Sequence, residues 1–139
     1  MNARIRAATE ADVDAVLDIW ERARSVAART PDTPESVRQL LERDPGALLV
    51  AEADGELVGA LIAGWDGWRG NVYRLAVLPA HRREGIAAEL VEAGHSRLEE
   101  LGARRITALV GGDEGAAHKL WRALGYQRDE FVHRFVRNL

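Results

Sequence analysis

The chain has 139 residues, 47% of them hydrophobic, and a formal net charge of -3 from 19 basic and 22 acidic side chains. That is one domain, 1–139, with apolar content for a core of its own and without the basic excess that nucleic-acid binding requires. The absence of cysteine excludes disulfides and thiolate metal sites. Apolar runs such as Ala47 to Ala51 are far too short to span a bilayer and the N-terminus carries no secretory pattern, so a cytoplasmic chain with no membrane partner is expected.

Residues 3 to 8 alternate as a first strand, and Thr9 with Asp12 forms a capping-box-like helix start. The helix after this cap places Val13, Val16, Leu17 and Trp20 at helical spacing. A second helix begins with Thr33 as cap and Pro34 at its first position, carries Val37, Leu40 and Leu41, and ends at Asp44-Pro45-Gly46. Ala47 to Ala53 and Leu57 to Trp65 flank Asp54-Gly55, a dipeptide suited to a tight antiparallel hairpin. A polar break, Asp66 to Gly70, leads to a third strand of the meander, Val72 to Leu78.

The next stretch, Leu75 to Val91, joins that strand through a Pro-containing loop to a helix that opens on glycine and alanine. Helix starts leave backbone N–H groups without intrahelical partners, so Arg82 to Ala88 can present a cluster of free donors with positive dipole character. Gly85 and Ala87 have little side chain to hold a ligand off the backbone, and Arg82 and Arg83 add charge. A phosphate or pyrophosphate is the guest such a junction suits.

This helix carries Ile86, Leu90, Gly94, Leu98 and Leu101 on one face and stops at Gly102. Arg105 to Val110 is expected as a strand, Glu114 to Leu124 as a helix and Phe131 to Val136 as a terminal β segment. The order β, α, α, three strands, α, β, α, β implies an α+β fold: a mixed, mainly antiparallel sheet flanked by helices, with a crossover around the 85–101 helix.

The junction resembles the GNAT superfamily of acetyl-coenzyme A-dependent N-acetyltransferases, in the form of small single-domain bacterial proteins. Arg82-Arg83-Glu84-Gly85-Ile86-Ala87 fits the family's R/Q-x-x-G-x-G/A element, the preceding LAVLP looks like its fourth strand, and Leu120 to Tyr126 resembles its later L-Y-x-x-x-G-F element. The resemblance spans essentially the whole chain. It implies acetyl-coenzyme A as cofactor, with the amides of Arg83, Glu84, Gly85, Ile86, Ala87 and Ala88 on the pyrophosphate beside Arg82. Leu75, Ala76 and Val77 would pair with the pantetheine arm as a strand does, one amide there polarising the thioester carbonyl, and Glu114, Ala117 and Trp121 would flank the arm from the last helix. Fixed backbone donors of this kind stabilise the oxyanion of acyl transfer without reorganising.

Several positions depart from the family pattern. Trp121 stands where many members place a Tyr that protonates the leaving thiolate, and an indole N–H is no acid near neutral pH. It is either a core aromatic or a residue at the cofactor. Glu114 stands where an Asn often contacts pantetheine, and a helix cap is its alternative role. Asn71 replaces the Glu that takes the amine's proton in some relatives, which leaves Asp66, Tyr73, Glu130 or a water chain. Trp20, Trp65 and Trp68 are read either as acceptor-pocket walls or as sheet-face core, with Trp68 in a polar turn and exposed. Tyr126 is read as core. The four histidines show no ligand spacing, so no metal site is expected.

These readings converge on acetyl transfer to a primary amine of a small molecule or protein, by direct attack in a ternary complex, from a monomer or homodimer. A module that senses acyl-coenzyme A without turnover is the alternative, since it would need neither a Tyr at 121 nor a carboxylate at 71.

Overall fold

The computed structural model describes residues 3–23, 32–110 and 115–139. Its strands are β1 (Arg4–Ala7), β2 (Leu48–Ala53), β3 (Glu56–Trp65), β4 (Gly70–Val77) and β5 (Ile106–Ala108), and its helices α1 (Val13–Ala23), α2 (Pro34–Arg43), α3 (Ile86–Leu101) and α4 (Gly115–Ala123). The strands form one sheet in the order β1-β2-β3-β4-β5. Every pairing is antiparallel except β4 with β5, which is parallel because α3 carries the chain back across the sheet. This is the α+β architecture expected from the sequence.

The Asp54-Gly55 hairpin forms as read, with φ of 52° and 80° at its two corner residues. Thr33 caps α2 by accepting the Ser36 N–H at 3.1 Å, with Pro34 at the first position. α3 ends at Gly102 in the left-handed conformation, φ 107°.

Alternation along each strand divides the apolar residues between two cores. On one face Leu61, Ala63, Val72 and Val77 meet Ile86, Leu90, Val91 and Leu98 of α3, together with Trp121 of α4. On the other, Leu48, Val50, Ala60, Ile62 and Ala76 meet Val13, Val16, Ile19 and Trp20 of α1 and Val37 of α2. Burial of this scale, at about 25 cal/mol per Å² of apolar surface, is the main force holding the helices to the sheet.

Four expectations need correction. Phe131 to Val136 is not a strand: it has no ladder partner among the described residues, and Phe131 and Phe135 are 96% and 93% exposed. Apolar residues alone do not make a strand when no neighbouring strand supplies hydrogen bonds. The fifth strand covers Ile106–Ala108 rather than Arg105 to Val110. Leu101, read as part of the buried face of α3, is 43% exposed in the last turn. The first helix opens with a short 3₁₀ turn, Glu10–Asp12, before α1. The expected start of the last helix at Glu114 lies outside the described residues.

Asp12 fastens the β1–α1 corner. Its carboxylate accepts Arg6 Nη1 at 2.7 Å, Arg6 Nη2 at 3.0 Å and the Thr9 N–H at 2.8 Å, while the Arg6 Nε donates to Glu52 of β2 at 3.1 Å. The Arg6 guanidinium holds the Asp12 carboxyl below its ordinary 3.8 despite burial. A depressed folded-state pKa contributes stability that is present above 3.8 and lost as pH falls through the folded value. Asp12→Asn is therefore expected to lower the urea midpoint at neutral pH, and the gap from the parent chain should narrow as the pH drops toward about 3. Urea titrations of both chains across that range measure it.

Candidate functional site

Two features build the site, one in β4 itself and one in the loop that leaves it. The first is an open edge. β5 pairs with β4 only at Gly70, Asn71 and Val72, and its last contact is the Leu109 N–H on the Val72 carbonyl at 3.3 Å. Beyond that the edge of β4 away from β3 has no strand against it among the described residues. Strand alternation decides which groups face this gap. The Leu78 N–H donates to Val58 O at 2.8 Å, so Leu78 and Ala76 face β3, and Leu75 and Val77 face the open edge. The Val77 carbonyl does point that way, accepting Arg82 Nε at 3.3 Å.

The second feature is the junction. The chain leaves β4 through a 3₁₀ turn, Pro79–His81, then passes Arg83 at φ 66° and Gly85 at φ 81° before α3. Two left-handed residues this close turn the backbone sharply just before α3, and successive free N–H groups at such a turn suit an anion. The first amide to reach a backbone acceptor is that of Glu89, on Gly85 O at 3.1 Å. From Arg83 to Ala88 the amides have no acceptor among the described residues. Arg82, which the sequence grouped with them, differs: its amide bonds Pro79 O at 3.4 Å.

The expected cofactor residues thus come together, by main chain more than by side chain. Ala76, Val77 and Ile86 bury their side chains in the cores, whereas Arg82, Arg83, Glu84 and Gly85 lie exposed around the turn and Ala87 and Ala88 are half-buried. Ala117 packs half-buried against the α3-side core. Trp121 does not reach the surface: it is 6% exposed, in that core, edge-on to Tyr126 with centroids 4.9 Å apart. Tyr126 is half-buried rather than fully core, its hydroxyl 2.5 Å from His95 Nε2, and burial pushes that hydroxyl up to about 12. Glu114 falls outside the described residues.

On the α2 side of β4 lies a cleft walled by Arg43 of α2, Trp65 and Asp66 at the end of β3, Asn71 and Tyr73 of β4, and Arg97 of α3. Arg97 is locked by its Nε on Ala63 O at 3.2 Å and by an ion pair with Asp44. Asp66 and Tyr73 therefore share a cavity. The carboxylate is partly engaged: Asp66 Oδ1 accepts the Trp68 N–H at 2.8 Å and the Arg69 N–H at 2.6 Å. Those amides, that of Arg69 foremost, hold its carboxyl below the ordinary 3.8. Burial moves Tyr73 the other way, above 10.0, so it is a phenol at neutral pH and a poor proton acceptor. Of the other tryptophans, Trp65 lines the cleft, Trp68 is 86% exposed, and Trp20 is not a cleft wall but core, 4% exposed. Glu130 lies exposed in a turn after α4.

Sequence reasoning missed Arg74. It sits in β4 at φ 57°, where β3 and β4 shift register between Ala60 and Ile62. Left-handed backbone costs a non-glycine residue roughly 1 kcal/mol or more, so such a residue marks a bulge the surroundings enforce. Composition carries no signal for it, since Arg74 reads as one more residue of an alternating strand.

The chain has relatives among known proteins. The sequence profile of the acetyltransferase (GNAT) family matches residues 13–126. The chain is 35% identical over 129 residues to acetyltransferase SG1711 of Sodalis glossinidius, covering 92% of this chain and 89% of that protein. Among solved structures it resembles Ard1 from Thermoplasma volcanium, with TM-score 0.78 and 21% identity over 90% of this chain and 82% of that one. It also resembles AAC(6')-Iy in complex with a bisubstrate analogue of coenzyme A, with TM-score 0.78 and 20% identity over the full length of both chains.

Gly85 is the sharpest test of the junction. An added Cβ would meet nothing within 4 Å at either Gly85 or Gly55, and both have positive φ, so valine strains the two alike. At Gly85 alone the new methyl groups would lie among the free N–H groups of the junction. Gly85→Val is expected to weaken coenzyme A binding at least about tenfold while Gly55→Val leaves it unchanged, measured by calorimetry on the folded variants.

Proposed function

We propose, since the chain belongs to the GNAT acetyltransferase family, that it transfers acetyl from acetyl-coenzyme A to a primary amine of a small molecule or protein by direct attack in a ternary complex. The observation that carries this reading is the set of unpaired amides from Arg83 to Ala88 beside the open edge of β4. The coenzyme supplies the activated thioester. Leu75 and Val77 offer main-chain groups to its arm, the junction amides hold its pyrophosphate, and Arg82 and Arg83 lend charge at the rim.

The acceptor enters, in this reading, through the cleft on the α2 side of β4. Asp66 keeps its charge throughout the neutral range and suits a cationic amine, and Tyr73 offers a hydroxyl for orientation. No carboxylate or imidazole stands in the cleft as a clear base among the described residues: Asp66 lies too far below neutrality and Asp44 is paired with Arg97. Release of the amine's proton to water fits best. The bisubstrate complex of AAC(6')-Iy concerns an aminoglycoside amine, and that likeness supports an amine acceptor of this type. A sensor without turnover would need the same cofactor groove, but the kinship with acetyltransferases over most of the chain favours the enzyme. A free-thiol release assay across a panel of amines tests this directly: release with at least one amine is expected, and binding of acetyl-coenzyme A without release on any would return the sensor reading.

The buried indole and the cleft carboxylate each set an expected outcome. Trp121→Phe should keep kcat within about threefold and lower the melting temperature, because the indole serves the core and not proton transfer. Steady-state rates and thermal melts separate the two effects. For pH, Asp66 titrates below 3.8 and Tyr73 above 10.0, so neither changes charge between them. The rise of kcat/KM over roughly pH 6.5 to 8.5 therefore belongs to the amine and should persist in Asp66→Asn, whose acceptor KM alone rises several-fold, about threefold to tenfold.

A further inference from the structure

Arg74 poses a question that the cofactor groove does not answer: what holds a charged residue in left-handed backbone in the middle of a strand. Among the described residues, two side chains from outside the sheet hold it. The indole Nε1–H of Trp20, on α1, donates to the Arg74 carbonyl at 2.9 Å. Asp32, just before α2, pairs with the Arg74 guanidinium at 2.9 Å, both side chains being less than a fifth exposed. The guanidinium carbon also lies 5.9 Å from the centre of the Trp20 ring.

A trans peptide is planar, and its C=O and N–H point in opposite directions. No cis peptide bond occurs among the described residues. The Trp20 bond holds the Arg74 carbonyl, and the N–H on the same plane, that of Leu75, points the opposite way. Strand alternation independently sets Leu75 toward the open edge of β4. A buried donor bond more than fifty residues distant in sequence thus fixes the direction of one particular amide.

We infer that Trp20 is a positioning residue, which through the Arg74 carbonyl aims the Leu75 N–H into the gap beside β4, where it meets the thioester carbonyl oxygen. The inference rests on the acetyl-transfer reading above. A donor that is aimed before reaction contributes because no reorganisation is left to do as charge develops on that oxygen. Asp32 and the Arg74 guanidinium serve the same end by keeping the left-handed residue from relaxing into the regular ladder, which would rotate the peptide plane.

The test is Trp20→Phe, with Trp20 replaced by its isostere 3-benzothienylalanine as a second variant that keeps the volume of the indole and lacks the N–H. Both are compared with the parent chain by NMR of the Arg74 carbonyl carbon and the Leu75 amide, with and without acetyl-coenzyme A, and by steady-state kinetics. Loss of the hydrogen bond should shift both resonances in the free protein and abolish the response of the Leu75 amide to acetyl-coenzyme A, while the Ile86 to Ala88 amides respond as in the parent. kcat should fall about tenfold to a hundredfold, with KM for acetyl-coenzyme A changed less than about twofold. Unaltered Leu75 and Arg74 resonances, or an unaltered kcat, in the isosteric variant of a parent that binds and turns over would overturn the role given to Trp20 alone. A parent chain that does not bind acetyl-coenzyme A overturns the functional reading itself, together with the role of Leu75.

Discussion

β4 has to satisfy two neighbours unequally, and the site is the result. Along β3 it pairs from Gly70 to Val77; along β5 it pairs at three residues and then parts from it. Inside a protein an unpaired strand edge carries backbone donors and acceptors that must find partners, because leaving them unpaired is costly. Here the groups lie at the edge of a gap, and the chain's own repair, among the described residues, is limited to the Arg82 side chain on the Val77 carbonyl. A ligand with an extended, amide-bearing arm completes such an edge in the way a strand would.

The same constraint explains why the two cores differ. α3 presses on the sheet directly behind the divergence, with Leu90 and Leu98 fully buried, so the N-terminal turn of that helix is rigidly placed relative to β4. On the opposite face α1 brings Trp20 beneath the bulge and α2 leaves a cleft. In the proposed reading one strand receives a cofactor on its edge and offers side chains to an acceptor on its face, with the Arg74–Leu75 peptide between the two.

Much of this was legible in the residues. Asp54-Gly55 announced its hairpin because few residues tolerate two successive positive φ values, and Thr33-Pro34 announced a helix start for equally local reasons. The junction was legible because a bare helix N-terminus after a short apolar strand has a chemical meaning of its own. What escaped were the features set by tertiary contact. Arg74 is left-handed, and Trp20 and Asp32, which contact it, lie far from it in sequence. Trp20 looked like one more apolar position at helical spacing, and its polar edge gave no sign of having a use. Phe131 to Val136 misled in the opposite sense: its residues favour a strand, but no strand lies beside it. Leu101 kept the helical period to a last turn that the sheet no longer covers.

The short β4–β5 pairing also bears on how the molecule opens. Three ladder pairs and the packing of Trp121 join the β5–α4 portion to the sheet, set against the long ladders that bind β2, β3 and β4 into a meander. Local stability tracks such contacts, so the amides of β5, with its short ladder, are expected to exchange through smaller excursions than those of the meander. A cofactor bound as proposed, along the open edge of β4, would touch both portions. Binding then fuses them, and the free energy of occupancy appears as protection of amides in β5 and α4 that touch no ligand at all.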